Sequence, residues 1–76
     1  MSTKLPVLSG DQLIKALEKF GYVVMRQKGS HIRLRHATDS SRLALSVPRH
    51  STLKKGLLRR VLRDARISLE QLLNSL

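Results

Sequence analysis

A two-residue loop, Gly29-Ser30, joins two runs of alternating side chains, and this feature constrains the fold most strongly. The loop has glycine in its first position, which is typical of the type II′ turn of a β-hairpin. Such a turn sets the register of the two strands that it connects. The predicted cross-strand pairs are Lys28 with His31, Arg26 with Arg33, and Val24 with Arg35.

The alternation divides the hairpin side chains between two faces of a sheet. The set predicted to face the core is apolar and comprises Val23, Met25, Ile32 and Leu34. The opposite set is mostly cationic and comprises Tyr22, Val24, Arg26, Lys28, His31, Arg33 and Arg35. We therefore expect a hairpin with one buried face and one open, positively charged face.

A third strand is predicted over residues 42–47, after a polar loop at residues 38–41. Its inward-pointing residues are predicted to be Leu43, Leu45 and Val47, and Pro48 ends the strand. A second hairpin would begin with Ala37 opposite Arg42. The pairs that follow are Leu34 with Leu45, Ile32 with Val47, and His31 with Pro48. This register is favoured because the apolar faces of all three strands then agree.

Three helices are predicted around these strands. The first spans about residues 10–20, because Ser9 and Gln12 fit a capping box and Gly21 suits a helix end. The second spans about residues 52–65 with Ser51 or Thr52 as its cap, and Ser68-Leu69-Glu70-Gln71 opens a short third helix. The order α-β-β-β-α with a short C-terminal helix indicates an α+β fold of the double-stranded-RNA-binding type. Its three-stranded antiparallel sheet would be covered by helices on one face.

The charge balance points to a polyanionic partner. The 76 residues form one predicted domain, residues 1–76, with 15 Lys plus Arg against 5 Asp plus Glu and a formal net charge of +10. Nucleic acid, an acidic protein and an anionic membrane surface are the candidate partners. The absence of cysteine excludes disulfides and thiolate metal sites. Because the chain has neither a signal-peptide core nor a long apolar run, we expect a cytoplasmic protein without a membrane-spanning segment.

His31 is the candidate catalytic residue. The five carboxylates are scattered and the three histidines lack the spacing of a zinc site, so we expect no metal and no other cofactor. Metal-free cleavage of RNA requires removal of the 2′-hydroxyl proton, for which histidine is suited near neutral pH. His31 is predicted on the open face among Arg26, Lys28 and Arg33, which can stabilise charge on phosphorus. The alternative interpretation is a solvated histidine beside a turn.

Other basic residues are candidates for binding the RNA backbone. The residues spaced to lie along one side of the second helix are Lys55, Arg59, Arg63 and Arg66. On the sheet, Arg35 extends the cationic face. His50 follows the third strand and could approach His31 as a second proton-transfer group, or it could be an ordinary loop histidine. His36 is expected to be structural.

Five segments within residues 8–75 form a set of motifs, namely Gly21-Tyr22, Arg26-Gln27-Lys28-Gly29-Ser30-His31, Val47-Pro48-Arg49-His50, Leu53-Lys54-Lys55-Gly56 and Leu58-Arg59-Arg60-Val61-Leu62. Together these segments resemble the HicA family of bacterial toxins, small messenger-RNA interferases that are paired with HicB antitoxins. Two positions depart from the usual pattern. Leu57 stands where the family often has a small hydroxyl residue, and Arg66 where it often has glycine.

The resemblance implies a double-stranded-RNA-binding-like fold and metal-independent, ribosome-independent cleavage of mRNA, which inhibits translation and growth. It also implies that the histidine of Gly-Ser-His, here His31 after Ser30, is catalytic. A HicB-like antitoxin that binds the toxin and covers this histidine is the implied protein partner.

Two further functions fit the same residues. A non-catalytic RNA-binding module of this fold would bind RNA in a salt-dependent manner and leave it intact. A DNA-binding or protein-interaction module ranks third, because no helix is placed as an obvious recognition helix.

Overall fold

The computed structural model describes residues 4–76, which contain three helices and three strands. Their order is α1 (Gly10–Lys19), β1 (Tyr22–Lys28), β2 (His31–His36), β3 (Leu45–Pro48), α2 (Lys55–Ala65) and α3 (Leu69–Ser75). The strands form one antiparallel sheet in the order β1-β2-β3. Helices cover one of its faces, so the predicted α+β architecture and the predicted element order are confirmed.

Helix α1 begins and ends where its sequence signals predict. The Gln12 N–H donates to the Ser9 side chain at 3.1 Å, and the Ser9 N–H donates to the Gln12 side chain at 2.9 Å. Gly21 follows the helix with a φ of 94°, a left-handed conformation that glycine adopts without strain. The buried residues of α1, which pack the helix against β1 and β3, are Gly10, Leu13, Ala16 and Leu17.

Gly10 permits a close approach between the start of α1 and the end of β3. A Cβ atom at this position would overlap the Pro48 carbonyl oxygen and would lie 2.9 Å from the Cα of Arg49. The Gly10 N–H donates to the His50 carbonyl at 2.9 Å. The first turn of α1 is therefore docked directly on the backbone that leaves β3.

The β1–β2 hairpin has the predicted turn but carries a β-bulge within β1. The confirmed pairs are Lys28 with His31 and Arg26 with Arg33. The register shifts between Val24 and Arg26, so Val24 pairs with Leu34 and the predicted pair with Arg35 is wrong. An extra residue in one strand reverses the alternation for everything on its far side.

The bulge corrects the predicted facing of the first half of β1. Tyr22, predicted to face outward, is 2% exposed, and its hydroxyl donates to the Leu43 carbonyl at 2.9 Å. Burial raises the pKa of Tyr22, so its hydroxyl remains a donor. Val23 and Met25, predicted to be buried, are instead 47% and 59% exposed, and Val24 is 41% exposed. The shift thus turns the tyrosine ring into the core and leaves three smaller apolar side chains near the solvent.

Strand β3 is shorter than predicted but has the predicted register. The confirmed pairs are Leu34 with Leu45, Ile32 with Val47, and His31 with Pro48. The predicted pair of Ala37 with Arg42 is wrong, because the Ala37 N–H donates to the Gly21 carbonyl at 2.9 Å. Leu43, predicted to face inward, is 57% exposed, and its N–H donates to the Asp64 carbonyl at 3.1 Å. Bonds to Gly21, which directly precedes β1, and to Asp64 of α2 therefore replace the outer end of the predicted hairpin.

Helix α2 begins at Lys55 and not near residue 52, which corrects the predicted start. Lys54 is the N-cap and no side chain caps it, so neither Ser51 nor Thr52 has the predicted role. The Leu53 N–H donates to the Leu8 carbonyl at 2.8 Å, and the Leu53 side chain is buried. This contact with the N-terminal arm keeps the segment out of the helix.

The remaining ends of the helices follow different rules. Helix α2 ends at Arg66, which has a left-handed φ of 58°. Helix α3 begins with the predicted capping box of Ser68 and Gln71.

The most deeply buried large side chains between the helices and the inner sheet face are Leu13, Leu17, Leu34, Val47, Leu58 and Leu72. Within residues 4–76, every helix is too short or too polar to cross a membrane.

Candidate nucleic-acid interface and catalytic histidine

The outer face of the sheet carries a row of cations, which we call the basic sheet face. Cross-strand partners share a face, so the register groups Arg26 with Arg33 and Lys28 with His31, while Arg35 lies farther along β2. All five side chains are exposed. The ion pairs formed within residues 4–76 involve other arginines. The cations of the basic sheet face therefore form no ion pair with a carboxylate of the described residues.

His31 is the first residue of the central strand and directly follows the hairpin turn. Gly29 has a φ of 61° and Ser30 does not share this left-handed conformation, as in a type II′ turn. His31 lies between Lys28 on β1 and Pro48 on β3, and both Ser30 and His31 are exposed. The imidazole is thus accessible at one end of the sheet.

The segment that follows β3 is hydrogen-bonded to the turn that precedes His31. The Arg49 N–H donates to the Ser30 carbonyl at 2.7 Å. The Arg49 guanidinium is held in turn by Asp11 of α1, at 3.0 Å from Nε and 3.3 Å from the second nitrogen. Sequence reasoning missed this role of Arg49, because Arg49 and Asp11 are 38 positions apart and no local pattern connects them.

His50 is close to the site through its backbone. Its carbonyl accepts the Gly10 N–H, and its side chain is exposed. The imidazole hydrogen bonds found within residues 4–76 are those of His36, whose structural role is as predicted. The His36 Nδ1 accepts the Asp39 N–H at 2.9 Å, so its Nε2 donates to the Phe20 carbonyl at 2.7 Å. His31 and His50 are therefore unconstrained by such bonds, whereas His36 holds a loop.

The predicted cations of α2 are exposed but do not surround His31. Lys55, Arg59 and Arg63 are spaced four apart, so they align along the helix. Arg63 also lies 3.5 Å from Asp64. Arg66 donates to the Ser41 hydroxyl at 3.2 Å and belongs to the helix end. These residues form a second basic surface, which we call the α2 stripe (Lys55, Arg59 and Arg63).

An open cleft of about 370 Å³ between the sheet and α2 includes His31. The polar side chains that line it are His31, Arg33, Ser46, Arg60 and Asp64, with Leu57 on its apolar side. The α2 stripe does not line this cleft, whereas Arg60, which sequence reasoning missed, does. The helical spacing could have indicated Arg60, because Leu57, Arg60 and Asp64 are separated by three and four residues and so share one side of a helix.

A second cavity of about 440 Å³ lies on the other side of Arg33, towards β1. Its cationic lining includes Arg26, Lys28 and Arg35, and Met25 of the bulge contributes an apolar side chain. The basic sheet face is thus concave on both sides of Arg33 and combines positive charge with exposed apolar surface.

The carboxylates of the described chain lie apart from one another. The ion pairs are Asp11 with Arg49, Asp39 with Arg42, and Asp64 with both Arg60 and Arg63. Hydrogen bonds from Ser41 lower the pKa of Asp39. In the part of the chain that the structure describes, no three His, Asp or Glu side chains gather as potential metal ligands.

Comparison with known proteins gives one match. The family model described as HicA toxin of bacterial toxin-antitoxin matches residues 10–67, a span that includes the basic sheet face, the α2 stripe and the cleft. Searches of curated proteins and of solved structures returned no significant match.

Proposed function

The chain belongs to the HicA family of toxins from bacterial toxin–antitoxin systems, and from this premise we propose that it is a metal-independent endoribonuclease. It cleaves mRNA in the cytoplasm and thereby inhibits translation and growth. The observation that supports this proposal best is the position of His31, exposed at the end of the central strand beside cations without internal partners. A proton-transfer group and phosphate-binding groups are then available on one surface.

His31 acts as the general base on the ribose 2′-hydroxyl. Its imidazole takes the 2′ proton, the 2′ oxygen attacks phosphorus, and the bond from phosphorus to the 5′ oxygen breaks. The 5′ oxygen takes a proton from the solvent or from His50, so the products are a 2′,3′-cyclic phosphate and a 5′-hydroxyl. Lys28 and Arg33 stabilise the negative charge that develops on the phosphoryl oxygens. Each step uses side chains of this chain and water alone.

The RNA is held through its phosphates by Arg26 and Arg35 of the basic sheet face and by the α2 stripe. Contacts of this kind give affinity without sequence information and weaken steeply with salt. Both surfaces are exposed and cationic, and the whole chain has a formal net charge of +10.

A HicB-like antitoxin is the proposed protein partner, and it covers His31. The cavity beside Arg33 combines arginine side chains with the exposed Met25, which is 59% exposed. A partner that presents acidic and apolar side chains together complements this surface. Binding there blocks the approach of RNA to the imidazole.

The decisive experiment incubates the wild type and His31→Ala with a transcript in the presence of a chelator. We expect the wild type to cleave and His31→Ala to be slower by at least about 100-fold, because the proton-transfer group is lost. Lys15→Ala, which removes an exposed cation from α1, is the matched control and should cleave like the wild type. Equal cleavage by wild type and His31→Ala, or none by either, contradicts the proposal, and 5′-phosphate ends contradict the chemistry.

A non-catalytic RNA-binding module is the second candidate function. It is favoured by one observation, namely that the imidazole hydrogen bonds within residues 4–76 belong to His36 and none orients His31. This candidate predicts salt-dependent RNA binding by both the wild type and His31→Ala, with the RNA intact throughout.

A further inference from the structure

We propose that the cleft between the sheet and α2 binds the scissile phosphodiester, and that Arg60 contacts its phosphate together with Arg33. This inference rests on the proposed function and adds to it a residue from outside both basic surfaces. Two elements supply the cationic groups, since β2 carries His31 and Arg33 whereas α2 carries Arg60.

The spacing along β2 suits a single nucleotide. His31 and Arg33 are two residues apart on one face of the strand, so their Cα atoms are separated by about 7 Å. Arg33 pairs across the sheet with Ser46 of β3, whose hydroxyl is a further hydrogen-bonding group in the cleft. An imidazole at the ribose and a guanidinium at the phosphate can therefore contact the same residue of the RNA.

The guanidinium of Arg60 is available for a ligand. Its side chain is 73% exposed, and its Nε lies 4.0 Å from Asp64 Oδ2, at the outer limit of an ion pair. Asp64 is shared with Arg63 at 3.5 Å. An exposed pair of this length contributes little free energy, whereas arginine binds phosphate through two parallel hydrogen bonds. A phosphate entering the cleft should thus displace the loose contact.

The occupant of the cleft is a phosphodiester and not a small apolar ligand. Two arginines and a single carboxylate, Asp64, line the cleft, and the Asp64 side chain is only 21% exposed. The cleft is open, so an RNA strand can pass through it without threading.

The test compares neighbouring arginines of the same helix. Arg60→Ala and Arg59→Ala each remove one exposed positive charge from α2, but only Arg60 lines the cleft. We expect Arg60→Ala to slow single-turnover cleavage at saturating RNA by about 100-fold, because it removes a group that stabilises the transition state. Arg60→Lys should recover part of this loss. Arg59→Ala should act mainly through a several-fold increase in KM, as expected for a backbone contact. Equal effects of Arg60→Ala and Arg59→Ala on both parameters overturn the proposal.

A binding experiment separates failure of the cleft from failure of the proposed function. His31→Ala is titrated with a short RNA that carries a 2′-O-methyl group at each ribose, and backbone amide shifts are followed by NMR. We expect the largest shifts at Arg33, Ser46 and Arg60, and tighter binding by His31→Ala/Asp64→Asn, which lacks the repelling carboxylate. If the shifts centre on the cleft but the wild type does not cleave RNA, the proposed nuclease activity is rejected and the proposed phosphate site stands. Shifts elsewhere, or weaker binding by the Asp64→Asn protein, reject the site.

Discussion

Helices α1 and α2 have similar lengths, 10 and 11 residues, but their ends differ in almost every respect. Helix α1 has a capping box, Asp11 in its first turn, Lys19 in its last turn and a glycine after its end. Helix α2 has no side-chain cap and no acidic residue in its first turn, and it ends at Arg66 in a left-handed conformation. Cations at a helix start oppose the helix dipole, so Lys54 and Lys55 weaken the helix that carries them.

The difference separates a helix whose ends are stabilised by its own sequence from a helix whose first turn is destabilised by cations. Helix α1 docks on the backbone that is hydrogen-bonded to the turn before His31, whereas α2 carries the exposed α2 stripe. If this contrast is correct, the same type of substitution should have different effects at the ends of the two helices.

Alanine at glycine positions gives the largest expected contrast. Gly10→Ala should lower the free energy of unfolding by about 2–3 kcal/mol, because the new Cβ overlaps the backbone of Pro48 and Arg49. Gly56→Ala in the first turn of α2 should raise it by about 0.5–1 kcal/mol, since its Cβ would meet no atom within 4 Å. Urea unfolding measures both values, and a loss of stability in both variants contradicts the contrast.

Removal of the cap of α1 is the next largest effect. Ser9→Ala should lower the free energy of unfolding by about 1 kcal/mol, because the Gln12 N–H loses its acceptor. Thr52→Ala is the matched control before α2, where no side chain caps the helix. Its free energy of unfolding should stay within about 0.5 kcal/mol of the wild type. A comparable loss in Thr52→Ala would show that α2 is capped after all.

Addition of a cap to α2 should stabilise the protein and weaken RNA binding. Lys54 has the extended conformation of an N-cap, with φ −68° and ψ 146°. Lys54→Ser should therefore raise the free energy of unfolding by about 0.5–1 kcal/mol, and the lost charge should reduce the salt dependence of RNA binding. Lys55→Ser is the control, since it removes the same charge without supplying a cap. An equal gain in stability from both variants would attribute the effect to charge alone.

Glycine at the end of α2 should give a smaller gain. Arg66 adopts a φ of 58°, which strains any residue with a Cβ. We expect Arg66→Gly to raise the free energy of unfolding by about 0.5 kcal/mol, after allowance for the greater freedom of glycine in the unfolded chain. Thermal unfolding should show the opposite sign for Arg63→Gly, which places glycine inside the helix. A loss of stability in Arg66→Gly would mean that its bond to Ser41 outweighs the strain.

The loop that contains Ser41, the hydrogen-bond partner of Arg66, should make the stability of the protein weakly dependent on pH in acid. Ser41 donates to Asp39 through both its N–H and its hydroxyl, and these bonds lower the pKa of Asp39 from its usual value of 3.8. The carboxyl of Asp39 therefore binds a proton more readily in the unfolded state than in the folded state. The stabilisation from Asp39 is complete at pH values above the pKa of Asp39 in the unfolded state. It is lost as the pH falls through the lower pKa of Asp39 in the folded state. Asp39→Asn should flatten the decline of unfolding free energy in acid, and identical slopes in the two proteins contradict this.

Features that depend on nearby residues could be predicted from the sequence. The capping boxes at Ser9 and Ser68 and the turn at Gly29-Ser30 each follow from a few neighbouring residues. The register at His31 follows from that turn, so the cationic composition of the basic sheet face was accessible as well.

Features set by distant contacts could not be predicted. The bulge in β1 turns Tyr22 inward, where its hydroxyl meets the Leu43 carbonyl 21 residues away. The start of α2 depends on the bond between Leu53 and Leu8, and Arg60 enters the cleft only because α2 packs beside β3. The placement of charged residues on the hairpin was therefore predictable, whereas the part of the cleft that α2 lines was not.

The docking of α1 on the chain beyond β3 also has a genetic consequence. Any first- or second-base change in the codon for Gly10 introduces a side chain, or a stop, at a position with no room for a Cβ. The backbone displaced by such a change includes Arg49, whose N–H donates to the carbonyl of Ser30, the residue before His31. Under the proposed function, selection for cells that survive expression of the protein should recover lesions at the Gly10 codon as well as at the His31 codon.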